Sequence, residues 1–301
     1  MGGGGFIGSA ISDQLLTEGW TVRIFERPGL LPYRIFGSHE RVEWVEGIFE
    51  DLISVRGALQ GVDAVVHLIS TMLPRRSNEM PYEDVQSNVL GSLQLMQEIV
   101  LQGIKRIVFA SSGGTVYGVP IQLPIREDHP TQPRVSYGIC KLMIEKYLGL
   151  FSQLHGLRPL SLRIANPYGG RQRIDTSQGA VAVFLHRALQ KQTVEVWGDG
   201  SVVRDYLHVT DVAAAISAAL RYEGQHQVIN IGAGRGFSLN ELLDEMGILL
   251  GYKVDRCYLP GRGFDVPVSV LDISLARTEL NWMPHIDLRN GLRLTLAEQG
   301  R

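Results

Sequence analysis

The sequence predicts a doubly wound α/β fold, a Rossmann-type parallel sheet covered by helices on both faces and followed by a smaller C-terminal substrate lobe. Three observations predict it. Short apolar runs alternate with helix-length segments over the first half of the chain, the pattern of strands joined by crossover helices. A glycine turn, Gly2-x-x-Gly5-x-x-Gly8, runs straight into a helix-periodic segment. An acid, Glu26, closes the next apolar run about 20 residues on, the interval at which such folds hold the adenine ribose.

Taken in order, Ile7, Ile11, Leu15 and Leu16 fall at helical spacing and Gly19 ends that helix. Strands are then expected at "TVRIF" (21–25), "VEWVE" (42–46), "DAVVHLIS" (63–70), "RIVFASS" (106–112) and "LSLRIAN" (160–166). Two longer helices separate the later ones, at about 85–102 and 137–154, the second closed by His155-Gly156. Beyond Asn166 the stretch "PYGGRQRIDTSQG" is too polar for core and has the character of a long binding loop. A helix at 180–191, a strand "VEVWG", a helix from about Asp211 and a strand "VINIG" (228–232) follow. The expected division is a cofactor domain of residues 1–166 plus 204–234 and a lobe of 167–203 plus 235–301, with the middle piece returning to the sheet.

One strand is missing from this pattern. In the order 3-2-1-4-5-6 the strand that precedes the glycine turn lies in the centre of the sheet, yet only Met1 precedes Gly2. The expectation is a start truncated by about six to eight apolar residues, a typical strand length.

The bulk numbers narrow the function. With 29 Lys+Arg against 31 Asp+Glu and a formal charge of -2 over 301 residues, no basic field draws nucleic acid or an anionic membrane. No apolar run has the length of a membrane span, and the N-terminus lacks the order of a signal peptide. Two cysteines, Cys140 and Cys257, make no disulfide framework, and the eight histidines show no ligand spacing. A cytoplasmic protein without a metal is expected.

Gly2, Gly5 and Gly8 let a backbone turn approach a pyrophosphate at a helix N-terminus, which Phe6 and Ile7 open. Glu26 favours NAD, whereas Arg27 beside it suits a 2'-phosphate, so NADP stays open. In "SYGICK" Tyr137 and Lys141 stand four apart, on one helix face. A nearby ammonium favours the phenolate, and a base poised near neutrality is the expected result.

Together the motifs resemble the extended short-chain dehydrogenase/reductase family, and within it the UDP-glucose 4-epimerase-like sugar-nucleotide epimerases. The resemblance covers essentially the whole chain. It rests on the glycine pattern, "HL" at 67–68, "NVLGS" (88–92), "SSGGTVYG" (111–118), Tyr137-x-x-x-Lys141, "NPYG" (166–169), "GDGSVVRDYLHVTDV" (198–212), "NIGAG" (230–234) and "ELNWMP" (279–284). It implies Tyr137 as base, Lys141 as its partner that also holds the nicotinamide ribose, and Asn88 as the active-site asparagine. Counting along the strand makes Ser112 the catalytic hydroxyl; counting back from Tyr117 reaches Gly113, which has none, and Thr115 is the alternative. Arg204 and Arg262 match clamps on a nucleotide diphosphate, Asp265 an acid near its ribose, and Asn166 a further diphosphate ligand. Ser269 occupies a gating position whose small size admits N-acetyl sugars. His67, His208 and Asp211 are expected to be structural, Asp211 as a helix N-cap.

The implied reaction is inversion at C4 of a UDP-hexose by NAD, through a 4-ketose, in a homodimer. A dehydratase would show Asp-Glu before "VYG", where Gly114 and Thr115 stand. A reductase using the same Tyr-Lys pair, or a sensor without turnover, are the alternatives. One departure is Ile48, where the family places an acid for adenine; Glu50 is a shifted candidate.

Overall fold

A computed structural model describes residues 1–72, 74–173, 179–261, 263 and 265–299. Helix α1 (Phe6–Thr17) leads into β1 (Val22–Glu26) and β2 (Val42–Glu46), which pair in parallel. Helix α2 (Leu52–Leu59) is capped by Asp51, whose carboxylate accepts the amides of Ile53 and Ser54. Then come β3 (Ala64–His67), α3 (Pro74–Glu79), α4 (Pro81–Asp84), a π-helical turn (Val85–Leu90), α5 (Gly91–Leu101) and β4 (Arg106–Ser112). The long α6 (Ser136–His155) ends on Gly156 at φ 65, the left-handed conformation in which glycine closes helices. After it lie β5 (Arg158–Ile164), β6 (Asn166–Tyr168), α7 (Ala180–Leu189), β7 (Val194–Trp197), β8 (Val203–His208) and α8 (Val209–Leu220). The chain finishes with β9 (Val228–Ile231), β10 (Gly236–Ser238), α9 (Leu239–Leu250), β11 (Arg256–Leu259), β12 (Val268–Ser269), α10 (Ser274–Leu280) and α11 (Leu288–Gln299).

Strands β3, β4, β5 and β9 form a parallel sheet in the order β3-β4-β5-β9. β1 and β2 form a second, separate pair. The start of the chain joins the two: the Gly2 amide donates to Phe25 O, Met1 N donates to Val66 O, and the Leu68 amide donates to Met1 O, each at 3.0 Å. Met1 and Gly2 thus stand where the first strand of a doubly wound sheet ends.

Alternation along β4 builds the two sides of the core. Val108 and Ala110 join Ile11, Leu15, Leu160, Leu162, Val212 and Ile216 beneath α1 and α8. Ile107 and Phe109 join Val55, Leu95, Ile99, Ile144 and Leu148 beneath α2, α5 and α6. A third cluster, with Val181, Leu185, Val196, Leu242, Met246 and Leu292, belongs to the C-terminal elements.

Three sequence expectations shift. The helix expected at 85–102 is broken by the π-helical turn, which carries Asn88. Of the middle piece, β9 returns to the main sheet, while β8 pairs with β6, β10 and β12. Asp211 is not the cap of α8: that position is His208, whose Nδ1 faces the Thr210 amide, and Asp211 instead accepts the amides of His285 and Ile286 at 3.1 and 3.0 Å. Among the described residues no helix is long and apolar enough to cross a membrane.

Candidate active site

Close approach makes the glycine turn possible. A Cβ on Gly8 would stand 2.3 Å from Gly2 O and 2.5 Å from Gly3 Cα, so only glycine lets α1 start this near the turn. A Cβ on Gly5 would meet only Gly2 O, at 3.8 Å, leaving the outer side of the turn open. Helix α1 has no side-chain cap and no acid in its first turn, so its first amides remain for an anion. At the far end of β1, Glu26 accepts the Gly4 amide at 2.9 Å, which fixes its carboxylate against the turn, while Arg27 is exposed. The Tyr33 amide donates to Gly4 O at 3.1 Å and folds the following loop over the same place. Phe6 lies beside Gly169, whose added Cβ would be 3.4 Å from its ring, and Ile7 packs into the core under α8. This cradle fits a dinucleotide pyrophosphate and its ribose.

Helix α6 carries the reactive pair. Its N-cap residue, Val135, supplies no side-chain bond. The cap comes instead from α3: Asn78 Oδ1 accepts the Ser136 amide and Ser77 Oγ accepts the Tyr137 amide, both at 2.8 Å. One turn on, Lys141 is buried; its Nζ donates to Ala110 O at 2.9 Å, 5.5 Å from the Tyr137 ring centroid and 4.8 Å from that of Phe109. Burial lowers the Lys141 ammonium to about 8, against nearby acids led by Asp84. Desolvation, with the Asp84 charge added, pushes the Tyr137 hydroxyl up to about 12. Burial and the Asp84 charge thus hold the phenol above its ordinary range, whereas the spacing alone implies a base near neutrality.

The turn after β4 faces this pair. Ser112 closes the strand, half-buried. At Gly113 an added Cβ would stand 2.5 Å from Leu271 Cδ1 and 3.0 Å from Arg163 O, so this position has no room for a hydroxyl-bearing side chain. Gly114 opens towards the Asn166 amide, 3.9 Å from where its Cβ would lie. Thr115 packs against the first turn of α6, its Cβ 3.1 Å from where a Cβ on Gly138 would sit, and its Oγ1 is buried without a hydrogen-bond partner. Asn88 accepts the Thr71 amide at 2.9 Å and donates to Asp84 at 2.8 Å, which ties the segment after β3 to the site.

The remaining positions lie around β8. Asn166 Nδ2 donates to Asp205 O at 3.2 Å. Arg204 donates to Val266 O at 2.6 Å and to Val203 O at 2.9 Å; burial lowers its pKa and the charge of Asp265 opposes that. Ser269 is buried and sits opposite Arg204 in the β8–β12 pair. Arg262 lies outside the described residues. Ile48 and Glu50 are exposed, and His67 is held by Ser92 Oγ at 2.9 Å between the rings of Phe49 and Phe109. Among the described residues no group of acids, histidines and cysteines could hold a metal ion.

The sequence model of the NAD dependent epimerase/dehydratase family matches residues 1–232. The chain belongs to this family. Among its relatives, the UDP-glucose 4-epimerase of Mycolicibacterium smegmatis is 32% identical over 299 residues, covering 98% of this chain and 96% of that one. A dTDP-4-dehydro-6-deoxyglucose reductase of Escherichia coli is 31% identical over 310 residues, covering 97% and 93%. Among solved structures, the UDP-glucose 4-epimerase of Thermotoga maritima with UDP-glucose is similar with a TM-score of 0.91 at 34% identity, covering 99% of this chain and 96% of that one.

Within this family member the structure adds residues that sequence spacing did not single out. Asp205 is buried and accepts the amides of Ala233, Gly234 and Leu271 at 2.7, 3.2 and 3.3 Å, so one carboxylate joins β8 to the segments after β9 and β12. In "VVRDY" the resemblance points to its neighbour Arg204. Glu145, one turn beyond Lys141, forms a buried ion pair with Arg163 of β5 at 2.7 Å, and the Arg163 guanidinium stacks on the Tyr117 ring. Asp84, Ser77 and Asn78 hold the start of α6 from outside it.

Proposed function

We propose that this chain is an NAD-dependent 4-epimerase of a UDP-hexose, interconverting UDP-glucose and UDP-galactose and, with a residue as small as Ser269 at the gate, the N-acetyl sugars as well. The observation that carries this reading is the Tyr137–Lys141 pair on α6, beside a turn whose Gly114 and Thr115 add no second acid or base. Elimination of water needs such groups; inversion at C4 does not.

The Gly2–Gly8 turn and the α1 N-terminus would hold the pyrophosphate of NAD, Glu26 its adenosine ribose, and Lys141 its nicotinamide ribose, with Asn88 alongside. Bound there, NAD would supply the hydride acceptor for C4 of the sugar and, once reduced, the hydride donor to the opposite face of the 4-ketose, and its positive charge would favour a phenolate. Tyr137 accepts the proton of the sugar 4-hydroxyl as C4 is oxidised and returns it when C4 is reduced. Ser112 and Thr115 offer hydroxyls to the same oxygen, and the unpartnered Thr115 Oγ1 favours Thr115 for the tighter bond. Asn166, Arg204, Arg262 and Asp265 hold the nucleotide diphosphate, so that the 4-ketose turns about a fixed anchor. Arginine suits that task through bidentate bonds to phosphate.

The division into a cofactor domain, 1–166 plus 204–234, and a substrate lobe, 167–203 plus 235–301, accords with the separate third hydrophobic cluster. Exposed Leu90 and Leu101 beside α5 and Ile139, Leu150 and Leu154 on α6 support a homodimer formed through these helices. Two free cysteines accord with a cytoplasmic location.

The test is a panel of UDP-sugars incubated with the purified protein and catalytic NAD, with products resolved by chromatography. Interconversion of C4 epimers without net NADH is the expected result. Stoichiometric NADH would make the protein a dehydrogenase, and NAD(P)H consumption on a 4-keto sugar would make it a reductase, the activity named for the Escherichia coli relative.

A further inference from the structure

Asp84 ends α4 where the π-helical turn begins, and its side chain has no exposure to solvent. One oxygen accepts Asn88 Nδ2 at 2.8 Å. The other accepts Ser136 Oγ at 2.7 Å and the Cys140 thiol at 3.4 Å. Ser136 and Cys140 bracket Tyr137 on α6, so a single carboxylate bonds to the site asparagine and to both sides of the helical turn that carries the base. None of these three donors is charged. A buried carboxylate held only by neutral donors is costly unless its surroundings supply compensation, and the N-terminus of α6 supplies part of it through the helix dipole.

We propose that Asp84 is a positioning residue for the reaction assigned above: it fixes the first turn of α6, and with it Tyr137, against Asn88, and it sets a negative charge beside the Tyr137–Lys141 pair. The inference rests on the reading of Tyr137 as the base. Asn88 is thereby oriented as well, because its Oδ1 is left for the Thr71 amide.

The charge has a direction. Tyr137 and Cys140 are both raised to about 12, by burial first and the Asp84 carboxylate second. For Lys141 Asp84 works the other way, favouring the ammonium against burial, with Cys140 and Glu145 adding to it. The other titratable groups around the pair are His67 on β3, which burial and Lys141 keep neutral, and Glu145 on α6, which Arg163 of β5 pairs. Arg76 and Glu79, on the α3 helix packed against α6, are exposed. Asp84 is thus a carboxylate whose removal frees both the phenolate and the neutral amine.

Two variants separate charge from geometry. Asp84→Asn keeps the shape and removes the charge; Ser136→Ala keeps the charge and removes one bond. Each is compared, loaded with NAD, with wild type by circular-dichroism melting, by kcat against pH, and by ultraviolet titration of the Tyr137 phenolate as the difference from a Tyr137→Phe background. Asp84→Asn is expected to lower the Tyr137 midpoint by about one pH unit, the scale on which one nearby like charge acts. Ser136→Ala is expected to lower kcat several-fold and leave the midpoint in place. A wild-type midpoint in Asp84→Asn overturns the electrostatic role, and wild-type kcat in Ser136→Ala overturns the positioning role. Should Asp84→Asn fail to fold, Ser136→Ala, at a half-buried position, still decides the latter. The titration needs no turnover, so a chain inactive on every UDP-sugar would sink the proposed reaction while the Asp84 effect is still read.

Discussion

Lys141 and Tyr137 are held in one orientation by a bond that neither makes to the other: the Lys141 ammonium donates to Ala110 O at 2.9 Å and rests 5.5 Å from the Tyr137 ring. The strand end therefore sets the lysine, and the helix sets the tyrosine. Tyr137→Phe removes only the phenolic oxygen and is expected to lower kcat about a thousandfold, within the range of a general base, while NAD binding persists. Lys141→Met is expected to lower both kcat and NAD affinity, because the proposed mechanism gives the same ammonium to the nicotinamide ribose. Fluorescence titration with NADH alongside kcat separates the two, and a Tyr137→Phe protein with near wild-type turnover would remove the base from the mechanism.

Thr115 makes the sharper prediction about the hydroxyl. Its Oγ1 has no partner in the folded chain, so Thr115→Val breaks no hydrogen bond and should leave the melting temperature unchanged. Kcat should still fall by about tenfold to a hundredfold, the scale of one lost bond to a charge-developing oxygen. Ser112→Ala should cost less. The reverse order of effects would return the catalytic hydroxyl to the strand end.

These two residues also show what the sequence made legible. The Tyr137–Lys141 spacing puts both on one helix face whatever the tertiary structure, and the glycine turn dictates its own conformation, so both are readable from local pattern. The gap at Gly113 is different. Counting back from Tyr117 puts the family's hydroxyl position on this glycine, which has none, and Leu271 and the Arg163 carbonyl, both far off in sequence, occupy the space a side chain there would need. Likewise Val135 looks like an uncapped helix start until Ser77 and Asn78 arrive from α3. The π-helical turn at Val85 escaped because six residues are too few to tell its period from that of an α-helix. The pairing of β8 with β6, β10 and β12 escaped because it depends on register among strands of two, three and six residues.

Asp205 gives stability a pH dependence. Burial raises its carboxyl from 3.8 to about 6, although three backbone amides oppose the shift. Between these values the unfolded chain has released a proton that the folded chain keeps. The contribution of Asp205 is therefore fully present below about 3.8 and is lost as pH rises through about 6, about 3 kcal/mol over two units. Melting of wild type and Asp205→Asn, followed from pH 4 to 7 in roughly half-unit steps, should show wild type losing ground to the variant as pH rises. A constant difference between the two would contradict the raised pKa.

The last prediction concerns the seam in the sheet. Phe25 O and Val66 O, on facing strands, are reached by Gly2 N and Met1 N. Ahead of that point, among the described residues, β1 pairs only with β2 and β3 only with β4. The facing edges at Val22 and Ala64 lie against the core of α1 and, among the described residues, pair with no further strand, and unpaired main-chain groups there are costly. Fusing about six to eight apolar, β-branched residues ahead of Met1 supplies one strand to both edges at once. It also anchors the glycine turn, whose Gly2 amide and Met1 carbonyl already carry the sheet bonds. The extended chain is expected to melt at least about 5 °C higher and to bind NAD more tightly, whereas an equally long Gly-Ser extension should change neither. Equal gains from both extensions would show that the seam is closed by something other than strand pairing.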